Sequence, residues 1–514
     1  MKRFVLVLIA LLTVFTFVKA EKLPVNYQWA HSVDGNTKGG DMIVGMTMSS
    51  DGNYYVATTF GTSNDEDDAL NVWFDGEKLY NSKNKLVTGS SYVGTSQNGN
   101  LLLQKVDKEG NVLWNMYTLK GDVEHAATKM VPTSDGGVVM AIKTRAWVEA
   151  EGLTNLSSIY QPGKRGLKYV ITDDLTKPSE YRYVILKITS KGVVDWYQII
   201  RGEVREDTKY ATKNNAYVYG LTIDENDNIY VAGNFRTKLW FQDAQNKWNE
   251  IDAQNTKDWN GDSQAVTGDL FLVKLNKQGL FLNSFLADGT AKCAFIDNLC
   301  FDDGKLYLNG RVQGDGTEMK LGGFKVDASS DRQTEILASI NASDLSVNYV
   351  KSLESVANTD NRFVIQNKSV QLLNGKLYYT GLLNGSWKQD GQTLLDNPSS
   401  KMLKGYVLQV DPATGHVDNA AIRLDGGIGG FFGVYEGEKN LYAFGFDFTS
   451  GAILAPISKD KFTLGTATKI CSYGTVGICT TPIVDGENFV LAHRGGVEIN
   501  KVLRSGKDIL CEGA

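Results

Sequence analysis

A tight turn followed by a short apolar strand recurs along the chain, and this repeat constrains the fold more than any other feature. The strand after the turn reads NYYVA, GVVMA, NIYVAG, KLYLNG, KLYYTG, NLYAFG or NFVLA. Asp-Gly and Asn-Gly pairs supply the positive φ of a type I′ hairpin. The turns lie at Asp51-Gly52, Asp135-Gly136, Asn226-Asp227, Asp303-Gly304, Asn374-Gly375, Gly437-Glu438 and Asp485-Gly486. The chain therefore carries seven copies of one hairpin.

A second hairpin follows each of the first ones. Its clear copies are QKVDKEGNVLW (Gln104–Trp114), LKITSKGVVDW (Leu186–Trp196) and VKLNKQGLFLN (Val273–Asn283). Its weaker copies begin at Ala338, Leu408, Ala455 and Asn500. A lysine recurs at one position, and we expect it to snorkel at the blade edge. These lysines are Lys105, Lys187, Lys274 and Lys501.

Four short antiparallel strands per unit, repeated seven times, are typical of a β-propeller. The sequence therefore predicts an all-β fold in which residues 21–514 form a single seven-bladed β-propeller. The spacing of the units also predicts β-hairpin insertions between the second and third strands, on one face around the mouth of the central channel. They cover roughly residues 60–100, 143–180, 235–268, 311–333 and 382–404.

A propeller has to close, because an open edge strand invites aggregation. The segment NYQWAHSVDG aligns its Trp29 with the Trp of two second hairpins. We therefore expect an N-terminal strand, Asn26–Val33, to close the seventh blade beside residues from about 476 to 505. Lys507–Cys511 competes for the same place.

Three of the units resemble the bacterial extracytoplasmic seven-bladed β-propeller repeat, also called the SBBP-type repeat. The best match is NDNIYVAGNF (Asn226–Phe235) together with GDLFLVKLNKQG (Gly268–Gly279). The resemblance extends in weaker form over most of the chain after residue 20. It implies an exported or surface-exposed propeller, and it implies no catalytic residues, because proteins of this kind share none.

The first twenty residues have the pattern of a signal peptide. Lys2 and Arg3 precede the apolar run Phe4–Val18, and Val18-Lys19-Ala20 is a small-x-small cleavage site. The run is short for a membrane span, which needs about 20 residues; an uncleaved N-terminal anchor is the alternative. We therefore predict a secreted, periplasmic or cell-surface protein with no membrane span in the mature chain.

The charge of the chain indicates whether it binds nucleic acid. The formal net charge is −6 and Lys is interspersed with Asp and Glu, so nucleic acid is not expected to bind.

Cys293 and Cys300 fall on one predicted strand with opposite orientations, which favours two unpaired, buried thiols. A disulfide would come from Cys471, Cys479 and Cys511, with its pairing open.

Tryptophans concentrate in the insertions, where exposed indoles suit stacking on sugar rings or binding to a protein. WFDGEKL, WFQDAQNKW and WKQDGQTLL resemble one another, which favours a framework role for their first Trp. Trp248 and Trp259 lack such counterparts and are the better ligand candidates. His125 is expected near the channel mouth. The candidate ligand-binding residues are Trp73, Trp147, Trp240, Trp248, Trp259, Trp387 and His125.

One insertion carries DWNGD, whose Asp258, Asn260 and Asp262 resemble the alternating oxygen ligands of a calcium loop. The distal Glu of the full calcium motif is missing, so this is a weak calcium site, and no other cofactor is expected.

Catalytic motifs are absent from the sequence. The four His have no metal-ligand spacing, and no G-x-S-x-G elbow occurs. We therefore predict a monomeric, non-catalytic binding protein whose partner is a glycan or the cell surface, bound on the insertion-bearing face. The alternatives are a scaffold for protein assembly in the envelope and a channel-mouth lyase or hydrolase.

Overall fold

The computed structural model consists of strands and turns throughout the part of the chain that it describes. The described residues are 42–60, 98–119, 123–124, 129–145, 147–148, 154–161, 168–173, 181–202, 216–254, 268–291, 293–328, 333–356, 369–397, 402–437, 439–447 and 451–472, with short strands at 23–24, 33–35, 72–74, 77–78, 483–485, 488–490, 498–499, 502–505 and 508–511. No helix in these ranges has the length and apolarity needed to cross a membrane.

Six blades of four antiparallel strands make up the body of the protein. Blade 1 is β3 (Met42–Met48), β4 (Tyr54–Phe60), β7 (Asn98–Val106) and β8 (Val112–Leu119). Blade 2 is β10 (Lys129–Pro132), β11 (Val138–Arg145), β15 (Tyr181–Ile188) and β16 (Val194–Gly202). Blade 3 is β17 (Ala216–Ile223), β18 (Ile229–Phe235), β21 (Asp269–Leu275) and β22 (Phe281–Leu286). Blade 4 is β23 (Cys293–Asp302), β24 (Lys305–Gln313), β27 (Thr334–Asn341) and β28 (Val347–Val356). Blade 5 is β29 (Ser369–Leu373), β30 (Lys376–Leu383), β33 (Lys404–Val410) and β34 (Val417–Ile422). Blade 6 is β35 (Gly429–Glu436), β36 (Asn440–Asp447), β37 (Gly451–Ser458) and β38 (Thr468–Ser472).

The remaining strands lie in insertions, connections and the two ends of the chain. The insertions hold β5 (Val72–Phe74), β6 (Glu77–Lys78), β12 (Trp147–Val148), β13 (Thr154–Tyr160), β14 (Lys168–Asp173), β19 (Lys238–Gln242), β20 (Trp248–Asp252), β25 (Met319–Leu321), β26 (Phe324–Val326), β31 (Gly385–Gln389) and β32 (Gln392–Asn397). The ends and one connection hold β1 (Leu23–Pro24), β2 (Val33–Gly35), β9 (Val123–Glu124), β39 (Ile483–Asp485), β40 (Asn488–Val490), β41 (Glu498–Ile499), β42 (Val502–Ser505) and β43 (Asp508–Cys511).

The first strands of successive blades contact one another, in the order β3, β10, β17, β23, β29 and β35. They therefore line the centre, and the later strands of each blade lie progressively outward. Each apolar core contains residues of two neighbouring blades. The pairs that share a core include Leu103 with Met140, Ile185 with Val231, Leu272 with Leu308, Leu337 with Tyr379, and Val407 with Ala443. The predicted all-β propeller arrangement is confirmed.

Within the described residues the seventh unit does not form a four-stranded blade, and the structure has six blades, so the predicted number of seven is wrong. Both hairpins of the seventh unit are present, as β39–β40 and β42–β43. They do not join into one sheet. In a regular blade the second strand, here β40, would pair with the third strand, here β42, but β1 pairs with that edge of β42 instead. β41 pairs with β38 and so extends blade 6. The first described strand thus meets the C-terminal residues; residues 25–32, with Trp29, lie outside the described ranges.

A β-bulge in the first strand of four blades explains the glycine that ends the motifs VAG, LNG and AFG. A Cβ on Gly233, Gly310 or Gly445 would overlap a backbone carbonyl of the bulged neighbouring strand. A bulge carries one extra residue and re-aims its side chain. The extra residues are Val44, Tyr219, Asp297 and Phe432.

At Lys105 the recurring lysine is a buried clasp, which corrects the expectation of a snorkelling edge residue there, and Lys501 lies outside the described residues. Lys105 is only 2% exposed, and its Nζ donates to Asp51 Oδ2 at 2.5 Å and to the Gly136 carbonyl of the next blade at 3.0 Å. Lys187 Nζ likewise donates to Asp135 Oδ2 at 2.6 Å. Lys105 can be buried because the turns at Asp51 and Gly136 supply oxygen acceptors for its ammonium group.

Replacing Lys105 with Met should lower the free energy of unfolding by about 1–3 kcal/mol, because the buried Gly136 carbonyl of the next blade loses a charged donor. The matched control is Lys187→Met, where half-exposed Asp135 can turn to water, and we expect less than about 1 kcal/mol there. Urea unfolding of both variants measures the difference. Equal losses would show that the clasp of Lys105 does not stabilise the interface between blades 1 and 2.

The same clasp shifts the pKa of Asp51. Partial burial raises the pKa of this carboxyl, but hydrogen bonds from Lys105, Ser49 and the Asn53 backbone outweigh that effect and lower the pKa below 3.8. The ionised carboxylate therefore stabilises the fold above the ordinary Asp range, and this contribution is lost as pH falls through the lowered pKa.

Candidate functional site

The insertions lie over the outer strands of the blades, which corrects the expectation that they crowd the channel mouth. In blade 3, β19 pairs with β16, the outermost strand of blade 2. In blade 5, β31 pairs with β28, the outermost strand of blade 4. β13 pairs with β8 and β5 pairs with β2 in the same way. Four of the five described insertions, all except β25–β26, thus pair with a strand that precedes their own blade.

Of the tryptophans named from the sequence, the structure brings Trp240 and Trp248 together on one hairpin. Trp387 is 5% exposed and its ring lies 4.7 Å from that of Tyr406, so it packs in the framework of blade 5. Trp73 and Trp147 lie in β5 and β12. The other candidates, Trp259, His125, Asp258, Asn260 and Asp262, lie outside the described residues.

Two tryptophans share one face of the hairpin β19–β20, which we call the Trp platform together with Arg201, Lys238 and Glu250. Leu239, Phe241 and Ile251 alternate with the platform residues and are buried between blades 2 and 3. Trp240 pairs with Arg201 on one side and with Glu250 on the other, so these three side chains project from the same face. Trp248 is the diagonal neighbour of Trp240 on that face.

Polar groups hold the two indoles in place. Trp240 Nε1 donates to Glu250 Oε2 at 2.9 Å, and the Arg201 guanidinium lies 3.8 Å from the centroid of the Trp248 ring. Lys238 Nζ donates to Glu250 Oε1 at 2.6 Å. This bond is the main cause that lowers the pKa of Glu250 and raises the pKa of Lys238. The platform is therefore a charged, ordered surface that carries two half-buried indoles.

A second cluster lies where the first strands of blades 3 and 4 begin, at the insertion-side mouth of the channel. Asp297 is the extra residue of a bulge, and its two oxygens accept from Arg311 Nε and NH2, both at 2.6 Å. Both side chains are about 5% exposed. Burial lowers the pKa of Arg311, but the Asp297 carboxylate outweighs this and raises it.

Aromatic rings connect this ion pair to blade 2. The Arg311 guanidinium lies 4.5 Å from the Phe295 centroid, and the Phe295 and Tyr219 centroids are 6.3 Å apart. Tyr219 stacks on Tyr217 with centroids 5.9 Å apart, and Lys143 Nζ lies 4.5 Å from the Tyr217 centroid. Cations thus lie at both ends of a row of three rings, an arrangement that cation–π attraction favours.

Lys129 begins β10 beside this cluster. Burial lowers its pKa, and the Asp297 carboxylate partly opposes that shift. We call Lys129, Asp297, Arg311 and Tyr219 the channel-mouth cluster.

Sequence reasoning missed the channel-mouth cluster, although two signals were present. Asp297 interrupts the apolar strand CAFIDNLCF, and Arg311 follows the LNG motif where blades 5 and 6 carry Leu382 and Phe446. A charge inside a run of buried residues indicates a partner, because an unpaired buried charge is costly.

Cys293 and Cys300 are free, as predicted. Burial raises the pKa of Cys293, and burial together with Asp302 raises the pKa of Cys300 to about 12. Both are therefore poor nucleophiles at neutral pH. Within the described residues, no group of His, Cys, Asp and Glu side chains has the arrangement of a metal site.

Comparisons with known proteins give weak similarities. No family model matches the chain. No curated protein matches it either. Among solved structures, europium-containing methanol dehydrogenase aligns at 10% identity over 64% of this chain, with a TM-score of 0.27; the chain spans about half of that protein, 51%. Rhamnogalacturonan lyase YesW aligns at 13% identity over 84% of this chain and 76% of its own, with a TM-score of 0.26. The quinohemoprotein alcohol dehydrogenase of Comamonas testosteroni aligns at 10% identity over 82% and 73%, with a TM-score of 0.28. Scores this low carry no argument, and the fold assignment rests on strand pairing.

Proposed function

We propose that the protein is an exported, non-catalytic binding protein that holds a glycan on the Trp platform. The observation that carries this proposal is that Trp240 and Trp248 project from one face of a short hairpin anchored to blade 2. An indole has a broad apolar face and one polar edge, so it suits a ligand that also has an apolar face and a polar edge. A sugar ring has an apolar face and a rim of hydroxyls.

The charged neighbours supply the polar part of such a site. Glu250 and Lys238 place an acceptor and a donor next to Trp240, and Arg201 fixes the plane of the Trp248 ring. A few polar groups around an apolar surface orient a bound ligand and give specificity. Two diagonal rings also allow an extended ligand to contact both, which favours an oligosaccharide over a single sugar.

Replacing Trp248 or Trp240 with Ala should weaken glycan binding by at least about fivefold, because truncation of a central aromatic costs more than about 1 kcal/mol. A glycan array identifies the ligand, and calorimetry with the wild-type protein and both variants measures the loss. The control is Phe324→Ala, which removes a 40% exposed aromatic from the insertion hairpin of blade 4. It should bind like the wild-type protein.

Absence of any glycan ligand, or unchanged binding by both Trp variants, would contradict the proposal. A pull-down that returns one envelope complex equally well with Trp248→Ala would favour the assembly scaffold.

A channel-mouth lyase or hydrolase is the second candidate, and the channel-mouth cluster favours it. General acid–base catalysis needs a group whose pKa lies near the working pH. Burial lowers the pKa of Lys129 from its ordinary value, which is the direction that such a role requires. Asp297 is a poor candidate, because Arg311 occupies both of its oxygens. Cleavage of an array-identified glycan, lost in Lys129→Met, would support this candidate.

We also infer that the two ends of the chain complete the ring without a full blade. β39 contacts β3 of blade 1, and β1 pairs with β42. β2 pairs with β5 as β16 pairs with β19, which is the arrangement expected if the residues before β2 follow the course of an outer strand. Closure from both ends would suit a monomer with no open blade edge.

A further inference from the structure

The charged side chains around the two indoles of the Trp platform alternate in sign. Arg201, Trp240 and Glu250 form one row across β16, β19 and β20, and Lys238 with Asp252 forms the next row. Lys238 Nζ lies 2.6 Å from Glu250 Oε1 and 3.2 Å from Asp252 Oδ1. These four charged side chains therefore bring two positive and two negative charges to one face, and the charges cancel.

Glu250 lies at the centre of this arrangement. Its Oε1 accepts a hydrogen bond from Lys238 Nζ, and its Oε2 accepts one from Trp240 Nε1 at 2.9 Å. The hydrogen bond from Lys238 holds the pKa of Glu250 below its ordinary value, so the carboxylate is ionised at neutral pH. A carboxylate has about four acceptor positions, and this one is 40% exposed. Glu250 can therefore hold the Trp240 ring and still accept hydrogen bonds from a ligand.

A charged ligand meets a like charge anywhere on this surface. An acidic sugar would bring its carboxylate toward Glu250 and Asp252, and an amino sugar would bring its ammonium toward Lys238 and Arg201. Like charges placed together at an interface cost affinity. A sugar hydroxyl carries no charge and donates to a carboxylate in a strong, charge-assisted hydrogen bond.

We propose that the Trp platform selects uncharged oligosaccharides, and that Glu250 determines this specificity by holding Trp240 and by accepting hydrogen bonds from sugar hydroxyls. This inference rests on the proposed glycan-binding function and adds the class of sugar to it. The Arg201 guanidinium is already stacked on the Trp248 ring, 3.8 Å from its centroid, which favours its role as a support for that ring over capture of an acidic sugar.

Three hexasaccharides with the same β-1,4-linked backbone test the specificity: cellohexaose, its glucuronate form and the glucosamine hexamer. Calorimetry with the full chain at mildly acidic pH, where the uronate and the amine are ionised, measures each affinity. The wild-type protein should bind cellohexaose at least about fivefold more tightly than either charged form.

Glu250→Gln keeps the size of the side chain and removes its negative charge. It should weaken cellohexaose binding by about fivefold, because charge-assisted hydrogen bonds become neutral ones. It should also shift the ratio of the two affinities toward the glucuronate form, a change that a general loss of structure would not produce. In ¹⁵N-labelled protein without ligand, the Trp240 indole N–H resonance, assigned by its loss in Trp240→Phe, should move in Glu250→Gln.

Glu318→Gln is the matched control. Glu318 also pairs with a lysine, Lys320, at 3.0 Å, and it lies at the insertion hairpin of blade 4, whose sequence carries no Trp. This variant has the same change of charge as Glu250→Gln. It should leave all three affinities and the Trp240 resonance unchanged.

Tighter binding of either charged hexasaccharide than of cellohexaose, or an unchanged preference in Glu250→Gln, would overturn the specificity. An unmoved Trp240 resonance would overturn the positioning role of Glu250. If the three hexasaccharides do not bind, the hits on the glycan array decide: uncharged hits support the inference, and charged hits overturn it. A charged glycan whose binding is lost in Trp248→Ala would refute this specificity and leave the glycan platform intact, whereas the absence of any glycan ligand refutes both.

Discussion

Arg311→Ala is expected to lower the free energy of unfolding by about 3–5 kcal/mol, among the largest effects of any single substitution in this protein. The change leaves Asp297 buried, about 5% exposed, without the two hydrogen bonds that satisfied its carboxylate. The lost cation also uncovers one face of Phe295. The penalty comes mainly from the uncompensated charge that remains, because the ion pair itself only offsets its own desolvation.

A double variant separates these two contributions. Arg311→Met combined with Asp297→Leu removes both charges, so it should be less destabilised than Arg311→Ala. Urea midpoints and m-values of the variants measure this. Lys325→Ala is the control, since its ion pair with Asp327 is exposed and 3.7 Å long, and it should change stability by less than about 1 kcal/mol. If the double variant is the least stable of all, the pair stabilises the fold beyond its own desolvation.

The hairpins could be predicted from the sequence because turn chemistry is local. Asp303-Gly304 and Asn374-Gly375 both have two successive positive φ values, as the type I′ prediction requires. At Asp51-Gly52 only Gly52 has positive φ, so that turn has a different type although the hairpin is present. The turn residues determine that the chain reverses direction, whereas the strands on either side influence which turn type forms.

The number of blades could not be predicted, because it depends on a competition between distant segments. The seventh unit carries both expected hairpins, yet the edge of β42 is taken by β1 from the other end of the chain. Pairing of Leu23–Pro24 with Leu503 and Arg504 involves residues that no local pattern connects. A repeat count in the sequence therefore gives the number of hairpin pairs and leaves their assembly into sheets open.

The candidate sites were predictable to different degrees. The Trp platform follows from Trp240 and Trp248 at the two ends of one insertion hairpin, where alternation decides the face. The burial of Trp387 needed the structure, because its partner Tyr406 comes from a different strand of the same blade. The channel-mouth cluster depends on the bulge at Asp297, and a bulge changes the direction of a side chain without a clear sequence pattern.

Gly233→Ala is expected to destabilise blade 3 by at least about 3 kcal/mol, the upper range for overpacking. Its added Cβ would overlap the Tyr217 carbonyl, which is backbone and cannot rotate away as a side chain would. The first strand could relieve this only by shifting its bulge, and that shift would move Tyr219 away from Phe295. Thermal and urea unfolding measure the stability, and near-UV circular dichroism reports the aromatic packing.

Gly375→Ala is the matched control, because it separates backbone strain from overlap. Gly375 has a φ of +73° and no atom within 4 Å of an added Cβ, so the substitution costs only the left-handed strain of about 1–2 kcal/mol. Gly310→Ala, which would meet the Phe295 carbonyl, should behave like Gly233→Ala. Equal stability losses for Gly233→Ala and Gly375→Ala would mean that the bulge at Tyr219 yields at little cost. The same result for Gly310→Ala would mean that the bulge at Asp297 is not what holds Asp297 toward Arg311 within blade 4.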